Sequence, residues 1–528
     1  MTSVLGGFAT GVRAAVAVVV SMALAASGRA DIHLPACFGS RMVLQQGRPL
    51  PVWGTADPGE TIEVRFGDSA AVATTDRDGR WQVVLPVQHV SPHGRPLAVK
   101  GRTTVILHDV LVGDVWLCAG QSNMLMPVGK SSESAEALAT ADDPLLRLLP
   151  LTVVAGGDRP AYTPDQIAAL RPNAFTAGQW EQSNAQAARR FSAVAFFFGR
   201  RLRKELRTPV GLIQLAVGGT PIEAWVSRRA LASHPATAGL VAGRWLDNPL
   251  VGAWCRERAT ANLARAVAAR EPIPGDDLGP NHPFKPGFLW EAGMGALAPC
   301  PIAGVCWYQG ESNAETAELV EQHERTFPVL VESWRQAWQR EDLPFGFVQL
   351  PSLSRPHWPA FRESQRRLAA SLPHIGMVVT IDCGDRLDVH PRDKRPIGER
   401  LADWALADVY GRHDMAGLSP MPISAVRLSD GRVRVRFVHA GEGLHTNDAR
   451  PPRHCEAAVG DGTFQPADAE IDGDSLLVAV ASRPIQRIRY AWQPFPEPPV
   501  NLVGATGLPV TPFDLHVTEP PAGSPSRP

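Results

Sequence analysis

The chain has 528 residues, too many for one hydrophobic core, so about two to four domains are expected. Its composition, 44% hydrophobic and 20% charged with 47 Gly and 48 Pro, is that of a globular protein with many turns and short strands rather than a disordered one. A formal net charge of −1 with no long run of Lys or Arg offers nothing for a nucleic-acid or anionic-membrane partner.

Residues 1–13 carry one basic side chain, Arg13, and no acid. Residues 14–26 are an apolar run rich in Ala and Val, and Gly28-Arg29-Ala30 supplies small residues of the kind a signal peptidase reads. The run falls short of the roughly 20 residues a permanent membrane helix needs. The expectation is a signal peptide over residues 1–30, a mature chain starting near Asp31, export to the periplasm or the extracellular space, and no membrane insertion.

Residues 31–108 read as an N-terminal β-sandwich. In Thr61–Phe66 polar and apolar residues alternate, which sets Ile62, Val64 and Phe66 on one face. Asp57-Pro58-Gly59 and Asp78-Gly79 are turn signals on either side, and Trp81 opens the next strand.

The character changes over residues 109–415. Val115-Trp116-Leu117-Cys118-Ala119 is an unbroken apolar strand ending at Gly120. Phe191, Val194, Ala195, Phe198 and Leu202 fall on one helical face, and Arg200, Arg201, Arg203 and Lys204 crowd that helix's C-terminal end, where cations suit the dipole. Val210–Ala216 is a buried strand ending at Gly218-Gly219, and further apolar strands are expected over 305–308, 345–348 and 376–381, with helical patterns between them. Strands alternating with helices predict an α/β domain with a mostly parallel sheet, whose active site gathers at the C-terminal strand ends. Residues 416–518 return to a β pattern, with hairpin signals at Asp430-Gly431 and Asp472-Gly473, and the Pro/Ser/Gly-rich end over 519–528 reads as a disordered tail.

Seven cysteines show no CxxC pair and no zinc-ligand spacing. Most read as buried small apolar residues, with Cys300 and Cys306 close enough in sequence to pair if their loop allows.

Four polar or Gly-rich clusters follow the apolar strands. In Gly120-Gln121-Ser122-Asn123-Met124 a serine at a strand-to-helix turn exposes its hydroxyl, and its N–H can help hold an oxyanion; the plainer alternative is an N-cap. Gly218-Gly219-Thr220-Pro221-Ile222-Glu223-Ala224-Trp225 lets backbone approach a substrate, or is simply a turn. Trp307-Tyr308-Gln309-Gly310-Glu311-Ser312-Asn313 concentrates amides and a carboxylate, though Ser312 and Glu315 are also spaced as a capping box. His390 lies just beyond a strong strand, with Asp382, Asp385 and Asp388 in the preceding loop, where a serine's base and that base's orienting partner could sit.

The run Val112-Gly113-Asp114-Val115-Trp116-Leu117-Cys118-Ala119-Gly120-Gln121-Ser122-Asn123-Met124 closely resembles the nucleophile block of the sialate O-acetylesterases, a branch of the SGNH hydrolases. The Gly218 and Trp307 clusters resemble its second and third blocks, and His390-Pro391-Arg392-Asp393-Lys394, with Gly398 and Arg400-Leu401-Ala402 following, resembles its histidine block. Met42-Val43-Leu44-Gln45 and Trp53-Gly54 near the start, and Arg489-Tyr490-Ala491-Trp492 and Asn501-Leu502 near the end, match too, so the resemblance spans nearly all of the mature chain.

The resemblance implies an SGNH-type three-layer α/β/α catalytic domain over 109–415, flanked by β-rich domains. It implies a cofactor-free, metal-free serine esterase that removes O-acetyl groups from sialic acids or related glycans, with an acetylxylan or other polysaccharide acetylesterase as the nearest alternative. Ser122 would be the nucleophile and His390 the base. The Ser122 and Gly219 N–H groups with the Gln309 side chain would form the oxyanion hole, and Glu223, Glu311 and Asn313 would bind substrate. Many SGNH enzymes place the triad Asp three residues before the His, where this chain has Leu387. Asp388 is the first candidate, with Asp385, a backbone carbonyl or a Ser–His dyad as alternatives. Trp290-Glu291 departs from the Tyr-Asn common in the family. A sialic acid carboxylate calls for an arginine, for which Arg362, Arg386 and Arg392 are candidates. A non-catalytic glycan-binding protein is the rival of another class, and the intact Ser122 and His390 speak against it.

Overall fold

The computed structural model describes residues 31–157, 160–412, 414–415, 417–481 and 484–520. The expected leader over 1–30 and residues 521–528 of the expected tail lie outside them.

Short strands open the described chain: β1 (Val43–Gln45), β2 (Leu50–Thr55), β3 (Thr61–Phe66), β4 (Ser69–Thr74), β5 (Arg80–Leu85) and β6 (Ser91–Lys100). Strand β2 pairs antiparallel with β5, and β3 pairs antiparallel with β4 and β6. Ile62, Val64 and Phe66 are fully buried, as the alternation in β3 requires, and Trp81, Val83 and Leu85 of β5 are buried likewise.

The next strand, β7 (Thr104–Gly120), joins this region to the rest. Its first half pairs antiparallel with β6 and parallel with β1, and its second half enters the central sheet. One continuous strand therefore crosses residues 108 and 109.

The central sheet adds β8 (Asp143–Val153), β9 (Glu181–Ser183), β10 (Val210–Ala216), β11 (Gly304–Tyr308), β12 (Phe345–Val348) and β13 (Ile375–Val378). Its strand order is β9-β8-β10-β7-β11-β12-β13, and every pairing along it is parallel except β9 with β8. After β7 the chain builds β8 and β10 on one side, then crosses to build β11 and its successors on the other. Strand β7 is thus the topological switch point, and the loops leaving β7, β10 and β11 diverge around one crevice at the C-terminal strand ends.

Both faces of the sheet are covered, which is why β7 reads as a continuous apolar run rather than an alternating one. Trp116 and Cys118 pack in one apolar cluster with helices α2 (Ala193–Leu206) and α6 (Arg395–Trp404), through Phe198, Leu202, Leu401 and Trp404. Val115, Leu117 and Ala119 point the other way, into a cluster holding Leu263 of α3 (Ala253–Ala268) and Leu330 and Trp334 of α4 (Ala317–Ala337). Helix α2 begins at the Ser192 cap, whose Oγ accepts the Ala195 N–H, and ends at Arg207 in the left-handed conformation. Helix α5 (Trp358–Ser371) faces the C-terminal β region, where Arg362 donates to the Gln493 carbonyl at 2.6 Å.

That region contains two antiparallel four-stranded sheets. Asp430-Gly431 turns Met421–Arg427 back onto Val433–Val438, and Asp472-Gly473 turns Asp468–Asp472 onto Ser475–Ala479. All seven cysteines are buried free thiols. A Cys300–Cys306 pair does not form: Cys306 lies within β11 on the face packed by α2 and α6, whereas Cys300 belongs to the opposite cluster. Among the described residues no helix is long and apolar enough to cross a membrane.

Candidate active site

Strand β7 ends at Gly120, whose φ of +141° and close approach to the Tyr308 carbonyl leave no room for a side chain. Gln121 N–H then donates to that carbonyl at 2.9 Å, and its Oε1 accepts the Gly310 N–H at 3.3 Å. These bonds lock the exits of β7 and β11 together and turn the chain into the short helix α1 (Ser122–Leu125). Ser122 is not the cap of this helix; Gln121 occupies that position without a side-chain cap bond. The Ser122 hydroxyl is instead directed at His390, with Oγ and Nε2 2.8 Å apart.

The turn after β10 lies beside this hydroxyl. A Cβ on Gly218 would stand 3.7 Å from the Ser122 Cβ, and one on Gly219, at φ +75°, would stand 2.7 Å from the Trp254 ring. Among the described residues neither the Ser122 nor the Gly219 backbone N–H has a hydrogen-bond partner, so both donors are uncommitted. Ser312 Oγ donates to the Gly219 carbonyl at 2.9 Å and holds the turn from behind. No capping box starts at Ser312: α4 begins later, at the Thr316 cap, which leaves the Ser312 hydroxyl free for Gly219.

Ser122 and His390 open onto a cavity of about 300 Å³, whose lining also includes Gly218, Gly219, Trp254, Arg258, Glu311, Glu315 and Arg355. His390 is about half-buried, and this burial, reinforced by Lys394, Lys130 and Arg355, lowers its pKa below the ordinary 6.5 against the opposing pull of Asp388. A neutral imidazole within hydrogen-bond reach of a hydroxyl, beside two uncommitted N–H donors, is an arrangement able to carry out acyl transfer.

Comparison with known proteins gives this chemistry a family. The family model for carbohydrate esterase, sialic acid-specific acetylesterase, matches residues 291–407. A sialate O-acetylesterase from Mus musculus is 29% identical over 505 residues, 86% of this chain and 88% of that protein. One from Homo sapiens is 30% identical over 420 residues, 72% of each chain. The chain belongs to the sialate O-acetylesterase family. It is a carboxylic ester hydrolase. Its fold is similar to a crystal structure of a novel carbohydrate acetylesterase from Xanthomonas citri, with a TM-score of 0.72 at 29% identity over 92% of this chain and 99% of that one.

Within this sialate O-acetylesterase family chain, the expected site residues do not all reach the cavity. Ser122, Gly219, His390 and Glu311 do. Gln309 does not present a free amide: its Nε2 donates to the Thr220 carbonyl at 3.2 Å and to Asn313 Oδ1 at 2.7 Å, which uses both hydrogens. The Asn313 Oδ1 also accepts the Ile222 N–H at 2.9 Å, and that bond fixes the orientation of both amides. Asn313 is fully buried and donates to Glu223 Oε2 at 3.3 Å, so Asn313 and Glu223 brace the loops after β10 and β11 instead of lining the cavity. Burial raises the Glu223 carboxyl to about 7.

Asp388 is near His390 but not aligned with it. The distance from His390 Nδ1 to Asp388 Oδ1 is 3.8 Å, too long for a hydrogen bond, and that oxygen accepts the His390 backbone N–H at 2.8 Å. Asp385 accepts the N–H groups of Leu387 and Asp388 at 2.9 Å each and shapes the turn, while Asp382 pairs with Arg400 at 2.6 Å. None of the expected arginines lines the cavity. Arg362 is buried against the Gln493 and Pro494 carbonyls, Arg386 pairs with Glu497, and Arg392 donates to the Lys130 carbonyl. Among the described residues the cavity's arginines are Arg258, whose guanidinium lies 5.6 Å from the centre of the Trp254 ring, and Arg355, paired with Glu315 at 3.1 Å.

Proposed function

We propose that Ser122 and His390 form the nucleophile–base pair of a carbohydrate O-acetylesterase built on an SGNH-type three-layer α/β/α domain over residues 109–415, flanked by β-rich domains over 31–108 and 416–518. The 2.8 Å contact between Ser122 Oγ and His390 Nε2 at the switch point of the parallel sheet carries this reading. His390 Nε2 takes the Ser122 proton as Oγ attacks the acetyl carbonyl carbon. The Ser122 and Gly219 N–H groups hold the oxyanion. As the tetrahedral intermediate collapses, the imidazolium gives its proton to the leaving sugar oxygen, and the acetyl group stays on Ser122. Water, deprotonated by the same imidazole, then attacks the acetyl-enzyme; as the bond to Ser122 Oγ breaks, the imidazolium returns that proton to Oγ, and the acetyl group leaves as acetic acid, which ionises to acetate. His390 Nε2 thus carries each proton that moves, from Ser122 to the sugar oxygen and from water back to Ser122.

The substrate reading is an O-acetylated sialic acid or a related acidic glycan. Arg258 supports it: it lines the cavity, lies over the exposed Trp254 ring and has no carboxylate partner among the described residues, so its charge is available to a substrate carboxylate. An acetylxylan or other polysaccharide acetylesterase is the second reading, favoured by the full-length likeness to the Xanthomonas citri carbohydrate acetylesterase. Acetate release from O-acetylated sialic acid and from acetylated xylan distinguishes them. On the first reading Arg258→Ala raises KM for the acidic sugar roughly tenfold, the worth of one charge-assisted hydrogen bond. Faster turnover of xylan, with no effect of Arg258→Ala on either substrate, would replace the first reading by the second. The basic-then-apolar order of residues 1–26 supports export with cleavage before Asp31.

A further inference from the structure

A fully buried cation sits behind the catalytic pair with no task in the acyl-transfer chemistry. Lys394, the residue before α6, has no exposed surface, and its Nζ lies 5.5 Å from the centre of the Tyr308 ring. It donates to Asn123 Oδ1 at 2.6 Å. Asn123, equally buried, uses its Nδ2 twice: toward the Val389 carbonyl at 2.9 Å, and through a short bond to Glu311 Oε1. Asn123 directly follows Ser122, and Val389 directly precedes His390. The chain Lys394–Asn123–Val389 therefore ties the nucleophile's turn to the base's loop one residue away from each reacting atom.

This tie matters because the usual one is missing. At 3.8 Å, Asp388 does not hold the imidazole through Nδ1. Downstream the loop is fastened by Ser132 N–H to the Arg392 carbonyl at 3.0 Å, but that bond lies beyond Pro391. We propose that Lys394 is a positioning residue, which acts through Asn123 to hold the His390 loop against Ser122. Its ammonium polarises the Asn123 amide, which strengthens the Nδ2–H donors to Val389 and Glu311 in a site shielded from bulk solvent. Glu311, which lines the cavity with one carboxylate oxygen unpartnered among the described residues, balances the buried charge across the amide.

The proposal rests on Ser122 and His390 being the reacting pair, and the test separates the two. Aryl-acetate hydrolysis and thermal midpoint are measured for Lys394→Met, Lys394→Met/Glu311→Gln, Asn123→Ala and Ser122→Ala. The single lysine variant leaves Glu311 uncompensated and loses stability; the double variant, neutral at both positions, recovers the midpoint and carries the test should the single one not fold. In both, kcat falls about 10- to 100-fold, the cost of a base displaced by about 1 Å, and in Lys394→Met, which leaves the cavity lining unchanged, KM stays within about twofold of the parent. Asn123→Ala, which keeps both charges, falls alike. The groups facing His390 are Asp388, Lys394, Lys130 and Arg355, so removing the Lys394 charge also moves the acid limb of kcat/KM to higher pH. Parental kcat in the stable double variant or in Asn123→Ala overturns the proposal while leaving the Ser–His reading intact, and activity surviving in Ser122→Ala overturns that reading instead.

Discussion

Three oxygens compete for the histidine's neighbourhood, and the geometry ranks them. Ser122 Oγ has the direct contact at 2.8 Å, Asp388 Oδ1 stands 3.8 Å from Nδ1, and the Val389 carbonyl is held by Asn123. Asp388→Asn is accordingly expected to lower kcat by about tenfold, well short of the roughly 10⁴-fold loss that follows when a locked triad aspartate is changed. A loss of 10⁴-fold in steady-state kinetics would mean that Asp388 swings onto Nδ1 in the working enzyme. The pH dependence has a definite sign. Burial depresses the His390 pKa, so the neutral base persists into mildly acidic solution and the acid limb of kcat/KM lies below pH 6.5. The residue types of this site were legible in the sequence because Ser122 and Gly219 each closely follow an apolar strand and His390 lies in the Asp-rich loop after another. The direction of a carboxylate or an amide was not: the engagement of Gln309 with Thr220 and Asn313 depends on a loop about 90 positions away, which no local pattern encodes.

Loops after β10 and β11 are joined by a buried polar clamp, and its weakest member is Glu223. Its Oε2 accepts Asn313 Nδ2 at 3.3 Å, and its fully buried Oε1 has no hydrogen-bond partner among the described residues. Its pKa rises from 4.5 when exposed to about 7 in the fold. The clamp's contribution to stability is therefore fully present below pH 4.5 and is lost as pH rises through about 7, a difference of about 3 kcal/mol for a shift of this size. Glu223→Gln, which cannot ionise, is expected to raise the thermal midpoint above that of the parent at pH 8, with the gap closing toward pH 5. An equal gap at both pH values would show that Glu223 stays neutral throughout. The same elements explain the glycines: Gly120 lies against the Tyr308 carbonyl, and Gly219 lies against Trp254, so the two turns that flank the hydroxyl admit no side chain.

For the molecule as a whole, the alternation of apolar strands and helical patterns was sufficient to foresee a mostly parallel sheet, and the strands at 210–216 and 345–348 lie where the pattern put them. The β-rich flanks were legible from period-two alternation and Asp-Gly turns. What the sequence concealed is assembled across distance. Trp254 and Arg258 reach the cavity from α3, far from every recognisable block, and Lys394 meets Asn123 across 271 positions. Strand β7 carries the chain from the flanking β region into the central sheet without a break, so no turn or linker marks that passage. The most direct test of the whole account is acetate release from an aryl acetate by Ser122→Ala, with the intact protein incubated with substrate and its Ser122 peptide weighed for an acetyl group. With Ser122 as nucleophile, that peptide carries an acetyl adduct and the variant loses about 10⁴-fold or more in kcat. Full activity in Ser122→Ala, or an acetyl adduct on another residue, would contradict it.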